Sequence, residues 1–311
     1  MAKRNILVTG GAGFIGSALV RELANDPKNQ IIAVDNLLTG DKKRLPKAKN
    51  VHFIKADVNR LSDISSIFFR FRFDYVFHYA AVVGVKRTLE QPVLVLEDVT
   101  GIKNILDLSK NTNVKRVFFS SSSEVYGEPV ELPQNEHTTP LNSRLPYAIV
   151  KNLGEAFLKS YWQEFGLEYT IFRFFNTYGP MQSKDFVVSK FIAQAIKEQD
   201  LTIYGDGSQT RTFCYVDDNV KACVNAFTED RCINDVVNIG SDKEITVLEL
   251  AEAIQKVSGT KSKIVHLPAL EEGDMKRRLP DTTKMLQLLE QDPISLENGL
   301  KKIIDNPEFI L

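Results

Sequence analysis

The chain has 311 residues, a net charge of −1 and 43% hydrophobic residues, enough to bury a large α/β core as one unit or two joined domains. The near-neutral balance removes any electrostatic case for nucleic acid or an anionic membrane as partner, and the nearest thing to a membrane span, Phe68–Val85, is broken by Arg70, Arg72 and Asp74. Cys214, Cys223 and Cys232 lack C-x-x-C spacing and the four histidines are scattered, so reduced thiols, no metal and a cytoplasmic location are expected.

The first strand is expected at Ile6–Val8, so close to Met1 that no signal peptide is expected. Gly10, Gly13 and Gly16 follow at G-x-x-G-x-x-G spacing, and Ser17–Leu23 has helical character. A strand that turns through glycines into a helix aims backbone N–H groups and the positive end of a helix dipole at one point, which suits a pyrophosphate. The next strand, Ile31–Val34, ends in Asp35, nineteen residues past Gly16, where a dinucleotide site places the acid that accepts ribose hydroxyls. A carboxylate there would repel the 2′-phosphate of NADP. Asn36, Leu37 and Leu38 bring no arginine to offset it, so NAD is the expected cofactor.

Further strands are expected at Val51–Ile54, ahead of Asp57, at Tyr75–His78, leading into Ala80 and Ala81, at Arg116–Ser120 and at Tyr169–Arg173. They alternate with helices at Leu61–Phe69, Val95–Lys110 and Tyr147–Phe165. Repeated βα units predict an α/β fold, a doubly wound parallel sheet of the Rossmann kind with ligands at the strands' carboxyl ends. After Asn176 the rhythm changes to a helix at Val187–Glu198, a strand at Leu201–Tyr204, a turn at Gly205–Gly207, a helix from Val216 to about Phe227 and a strand at Val236–Ile239. Thr246 with Glu249 three residues on is a capping box opening a helix to Val257, and the tail, 263–311, holds one extended piece and two helices. The expected organisation is a nucleotide-binding domain of residues 1–175 plus about 213–245, and a smaller, discontinuous α/β C-terminal domain of about 176–212 plus 246–311.

The strand Val117–Phe119 runs into Ser120–Ser123, Glu124, Val125 and Tyr126, and Tyr147 precedes Lys151 by four residues. Residues four apart on a helix share a face. A free phenol, with a pKa near 10, is too weakly acidic to serve as a base at neutral pH, and a nearby ammonium and the positive nicotinamide would favour its phenolate. Ser122 at the strand end would hydrogen-bond the same substrate hydroxyl, Tyr147 would take its proton, and Lys151 would also hold the nicotinamide ribose.

These residues resemble an extended short-chain dehydrogenase/reductase of the nucleotide-sugar epimerase, dehydratase and decarboxylase group. The resemblance covers nearly the whole chain, through Thr9–Gly16, Asp35-Asn36, Asp57-Val58, His78–Ala81, Ser122, Tyr147/Lys151 and Arg173–Pro180, then Tyr204–Arg211, Tyr215–Asp218, Asn238–Gly240 and Glu272–Asp274. It implies that Phe14 and Ile15 join the glycines at NAD, that Asp57 and Val58 sit at the adenine, and that Ala80 and Ala81 line the cofactor. It further implies that Asn176, Val188, Arg211 and the tail arginine Arg278 bind the nucleotide sugar, the arginines clamping its diphosphate, and that the protein is a homodimer joined through the helices at Val95–Lys110 and Tyr147–Phe165.

All members of that group first oxidise the sugar at C4. A 4,6-dehydratase usually carries Asp-Glu where this chain has Ser123-Glu124, so its proton donor is missing. Many 4-epimerases carry a small residue in place of Glu124, whereas decarboxylases keep the glutamate together with an Arg-Lys-Pro-Asp stretch that Arg278–Asp281 resembles. The loop Val82–Val85, continuing through Thr88 and Pro92, is more epimerase-like. A UDP-sugar 4-epimerase is the leading expectation and a UDP-glucuronate decarboxylase the alternative. A non-catalytic NAD-binding sensor would be expected to lose Tyr147 or Lys151, and this chain keeps both.

Overall fold

Short apolar runs alternating with amphipathic helices build a seven-stranded sheet. The computed structural model describes residues 3–83, 88, 90–268 and 277–306. The strands are β1 Arg4–Thr9, β2 Asn29–Asp35, β3 Val51–Lys55, β4 Tyr75–His78, β5 Arg116–Ser122 and β6 Glu168–Phe174, with Asp235–Ile239 at one edge. Their order across the sheet is edge strand–β6–β5–β4–β1–β2–β3, and β1 to β6 pair in parallel throughout. The order reverses between β1 and β4, and in such a sheet the crevice beyond the carboxyl ends at that reversal is where ligands bind.

The helices of this first unit are α1 Phe14–Leu23, α2 Leu61–Phe71, α3 Pro92–Leu96, α4 Asp98–Asn111 and α5 Pro146–Phe165. Two differ from the sequence expectation. Helix α1 opens three residues early, because extended Gly13 is itself the N-cap and brings Phe14 and Ile15 into the first turn. The single helix expected at Val95–Lys110 is two helices, the first begun by Pro92, whose fixed φ suits a first turn.

Alternation along the strands puts two different sets of side chains on the two sheet faces. Phe77, Phe118 and Phe172 stack across three strands, with centroids 4.3 and 6.1 Å apart, and Phe227 caps Phe77 and Phe118 edge-on. Val76, Val117, Phe119 and Ile171 belong to the core that also buries Ile102 and Ile105 of α4 and Leu158 of α5. Gly154 lets α5 approach closely, since a Cβ there would lie 2.5 Å from the Phe119 ring. One ionic cluster is sealed inside this unit. Arg173 of β6 donates to Glu155 of α5 through Nε at 2.8 Å and Nη2 at 2.6 Å, and through Nη1 to the Tyr126 hydroxyl at 2.9 Å, while Ser121 Oγ donates to Glu155 at 2.6 Å.

By internal contacts the chain divides into two units, the first Met1–Gly127, Leu141–Phe174 and Val220–Val237, the second Glu128–Pro140, Phe175–Asn219 and Asn238–Leu311. The second has its own core, formed by Phe191 and Ile192 of helix Val187–Ile196, Leu250 and Ile254 of helix Val247–Ser258, Leu300 of helix Leu296–Ile304, and Leu201 and Ile203. The capping box is present: Glu249 N donates to Thr246 Oγ1 at 3.0 Å and Thr246 N to Glu249 Oε2 at 2.7 Å. Buried Asn238 ties Glu128–Pro140 to the tail: its Nδ2 donates to Gln134 O at 2.9 Å and to Asp281 O at 3.3 Å. Among the described residues no helix is long and apolar enough to cross a membrane.

Arg173 and Glu155 are each 1% exposed, so removing one partner strands a buried charge. Arg173→Met is expected to cost about 3–5 kcal/mol in urea unfolding. The double variant Arg173→Met/Glu155→Met is expected to cost less than either single change.

Candidate active site

Sequence and geometry agree first at the glycine turn. Gly10 has φ of +67°, and a Cβ on it would lie 2.7 Å from Ala80 N; a Cβ on Gly16 would lie 2.1 Å from Gly10 O. Gly13, as N-cap, offers no side-chain cap to α1. The first-turn amides, those of Phe14 and Ile15 among them, are therefore the donors that a helix start offers to a phosphate. This cradle, which any side chain would fill, fits the pyrophosphate of a dinucleotide.

Asp35 ends β2 with 8% exposure. Its Oδ2 accepts from Ala12 N at 3.1 Å and its Oδ1 from Leu37 N at 2.8 Å, which fixes the carboxylate beside the glycine turn. Burial pushes its pKa up, and the two amides and the Arg44 guanidinium pull it back. Arg44 was invisible to a reading confined to the residues just after Asp35; a 3-10 turn, Lys42–Arg44, folds it back so that its Nη1 donates to Ala12 O at 3.4 Å. Asn36 and Asp57 are brought together, Asn36 Nδ2 donating to Asp57 Oδ2 at 3.4 Å, and Val58 next to them is buried.

Ala80 and Ala81 follow β4, whose end is held by Thr9. Thr9 Oγ1 accepts from Tyr79 N at 3.2 Å and Ala80 N at 3.3 Å, and lies 2.8 Å from His78 Nδ1. With both acceptor positions used, the hydroxyl proton goes to Nδ1, which makes His78 a neutral Nε2–H tautomer. Burial, helped by the Lys151 charge, drives the His78 pKa down to about 3.

The catalytic candidates meet at the end of β5. Three consecutive serines do three different things there. Ser120 O accepts from Lys151 Nζ at 2.6 Å, Ser121 Oγ donates to Glu155, and Ser122 Oγ accepts from Glu124 N at 3.2 Å and, near the Tyr147 phenol, favours its phenolate. Glu124 sits in the 3-10 turn Ser123–Tyr126 and raises the Tyr147 pKa by its charge. Tyr147 and Lys151 share a face of α5, with the ammonium 5.7 Å from the phenol ring centroid. Burial lowers the Lys151 pKa to about 8, opposed by Asp98. The phenol itself is pushed up, first by burial and then by Glu124 and Asp98, with only the Ser122 bond favouring phenolate. The expectation from sequence is that the Lys151 ammonium and the positive nicotinamide together favour the phenolate; in the chain by itself Lys151 donates to Ser120 O and the phenol stays protonated.

The remaining candidates lie in the second unit. Asn176 O accepts from Cys214 N at 3.0 Å. Val188 is 2% exposed, packed in that unit's core. Arg211 sits on strand Thr210–Thr212 with Nη1 donating to Thr210 O at 2.7 Å. Arg278 is 8% exposed. Its neighbour Arg277 is the outward one, bidentate on Glu244 at 2.7 and 2.6 Å, and Glu244 belongs to the strand paired with that of Arg211. Arg278 is singled out in the sequence by the Arg278–Asp281 stretch; the structure adds that it is the buried one of the doublet. Gly84, Val85 and Glu272–Asp274 lie outside the described residues.

A glycine cradle at a topological reversal, an acid after β2 and a Ser–Tyr–Lys group at the next strand end define a dinucleotide-dependent enzyme of the short-chain dehydrogenase/reductase kind. Residues 6–240 match the model of the NAD dependent epimerase/dehydratase family. The chain belongs to that family, and its cofactor is NAD. It is 37% identical over 306 residues, covering 96% of this chain and 97% of the other, to a Methanocaldococcus jannaschii protein named for UDP-glucose 4-epimerase, and 37% identical over 324 residues, covering 97% of each, to the UDP-N-acetyl-alpha-D-glucosaminuronate decarboxylase of Bacillus cytotoxicus. Among solved structures it is similar to the UDP-glucose 4-epimerase of Thermotoga maritima with UDP-glucose (TM-score 0.91, 33% identity, 98% of each chain).

His78 supplies a pH test. Its folded pKa, about 3, lies below the ordinary value of 6.5, so below pH 6.5 the unfolded chain binds a proton that the folded one refuses. The stability present above pH 6.5 is then lost toward pH 3 at about 1.4 kcal/mol per unit. Urea unfolding from pH 7 to 4.5 is expected to show a shallower loss in His78→Asn than in the unaltered protein.

Proposed function

We propose that the chain is a UDP-sugar 4-epimerase working through a transient 4-keto sugar. The observation that carries this reading is the pairing of Tyr147 and Lys151 on one face of α5, the ammonium 5.7 Å from the phenol ring centroid and bound to Ser120 O at the β5 end that also carries Ser122. NAD, when bound, supplies the hydride acceptor and a positive ring. Ser122 holds the C4 hydroxyl oxygen and Tyr147 takes its proton as the C4 hydride departs, leaving a ketone. After the sugar turns over, Tyr147 returns the proton to the oxygen as hydride comes back to the other face. Lys151 holds the nicotinamide ribose, and Asn176, Arg211 and Arg278 bind the nucleotide diphosphate, whereas Val188, packed in the core of its unit, has almost no side-chain surface to offer it. The Thermotoga maritima structure, whose ligand is UDP-glucose, supports the nucleotide and the branch.

One observation favours a second reading, decarboxylation of UDP-glucuronate: Glu124 lies in the turn after β5, where its charge raises the Tyr147 pKa, and the Bacillus cytotoxicus relative is named a decarboxylase. A 4-ketone makes a uronic acid a β-keto acid, so the first step serves both outcomes.

A homodimer is part of the same proposal. Val93 and Leu96 of α3 are 70% and 46% exposed, and Ile149 and Leu153 of α5 are 46% and 39% exposed. Ile149 and Leu153 are four apart and share a helical face, and apolar surface of this kind is what a second copy would cover.

A panel of UDP-, GDP-, CDP- and dTDP-sugars, with products followed by mass and NMR, decides the reaction. A stereoisomer of unchanged mass supports the 4-epimerase; loss of carbon dioxide from UDP-glucuronate overturns it in favour of the lyase. Tyr147→Phe is expected to bind NAD normally and lose turnover about a thousandfold. Light scattering is expected to show a dimer that Leu153→Arg converts to monomer.

A further inference from the structure

The overall charge of −1 is an average that hides a local excess: residues 42–55 hold six lysines and arginines and no aspartate or glutamate. They run from the 3-10 turn Lys42–Arg44 through β3, the outermost strand of the sheet, which is bonded to β2 alone. Lys42 Nζ lies 5.5 Å from the Phe53 ring centroid, which lays the turn against β3. Lys42, Lys43, Lys47, Lys49 and Lys55 are all exposed. Among the described residues none of these five has an ion-pair partner, whereas Lys103, Lys115 and Lys221 of the same unit pair with Asp107, Asp74 and Glu22 at 2.9, 3.1 and 3.7 Å. The strip is uncompensated positive charge, not one half of a set of surface pairs.

One end of the strip adjoins the dinucleotide cradle. Arg44 Nη1 donates to Ala12 O at 3.4 Å and Asp41 N donates to the same carbonyl at 2.9 Å, which fastens the basic turn to the glycine turn. Lys55 stands opposite Asp35 in the β2–β3 register. Lysines on a free sheet edge also repel other edges, but that role calls for charges on the strand, and of the five only Lys55 belongs to β3. The other four lie on the turn and loop that lead from the cradle. We propose that residues 42–55 are an electrostatic capture surface, which gathers NAD by its anionic pyrophosphate and delivers it to the glycine cradle. Uncompensated charge beside a pocket raises the rate of encounter and is screened by salt. Its signature is a change in association rate without a change in dissociation rate. The inference rests on NAD as the cofactor and not on the sugar reaction, so a panel in which no nucleotide sugar turns over leaves it standing.

Stopped-flow fluorescence of NADH, which carries the same pyrophosphate, reads both rates on the whole chain freed of bound dinucleotide. In the unaltered protein the association rate is expected to fall about fivefold between about 20 mM and about 0.5 M salt. Lys43→Gln/Lys47→Gln/Lys49→Gln/Lys55→Gln is expected to lower it about fivefold at the lower salt and less than about twofold at the higher, with dissociation within about twofold of normal. Lys43→Arg/Lys47→Arg/Lys49→Arg/Lys55→Arg keeps the charge and is expected to associate at the normal rate. A salt-independent association rate in the unaltered protein overturns the proposal, whatever the variants do. A glutamine variant that loses affinity through faster dissociation also overturns it, making the lysines contacts of the bound cofactor. So does one that associates normally but forms larger assemblies in light scattering, which would make them edge protection.

Discussion

The bond from Lys151 Nζ to Ser120 O, 2.6 Å long, is the constraint on which the candidate centre depends. It ties helix α5 to the carboxyl end of β5 at the level where the substrate hydroxyl is to be handled. One turn further along α5, Glu155 makes a second tie, to Ser121 of the same strand and to Arg173 of the next. Two clasps at successive turns leave α5 no freedom to slide or roll against the sheet. Tyr147, one turn in the other direction, inherits its position from them. Preorganisation of this kind lets a side chain meet a reacting atom without rearrangement at the moment of reaction.

The clasp has an electrostatic consequence. Lys151 spends its strongest hydrogen bond on a backbone carbonyl, while Glu124 and Asp98 both make the phenol harder to ionise. The protein alone keeps Tyr147 a phenol. In the proposed reaction the positive ring of oxidised NAD would supply the charge that favours the phenolate.

The same scaffold serves reactions that part company after the first oxidation, and fold does not choose among them. Glu124, in the turn after β5, is the residue whose charge bears on the Tyr147 phenol, and the relatives carry both epimerase and decarboxylase names.

Much of this was legible in the amino-acid order. The glycine spacing, the acid after the second strand, the serine run and the Tyr147/Lys151 interval are local patterns, set by backbone sterics and helical repeat, and the sheet they imply is the one observed. Local patterns stop where distance along the chain stops being a guide to distance in space. That Arg44 returns to Asp35, that Glu128–Pro140 groups with the second unit, that Arg277 and not Arg278 faces outward, and that Asp98 meets Val82 were decided by packing and burial. Sequence by itself determined which residue types were available and at what helical or strand interval. Only the tertiary structure decided which charges share a low-dielectric neighbourhood, because desolvation and Coulomb interaction depend on how many atoms surround a group and not on its place in the chain.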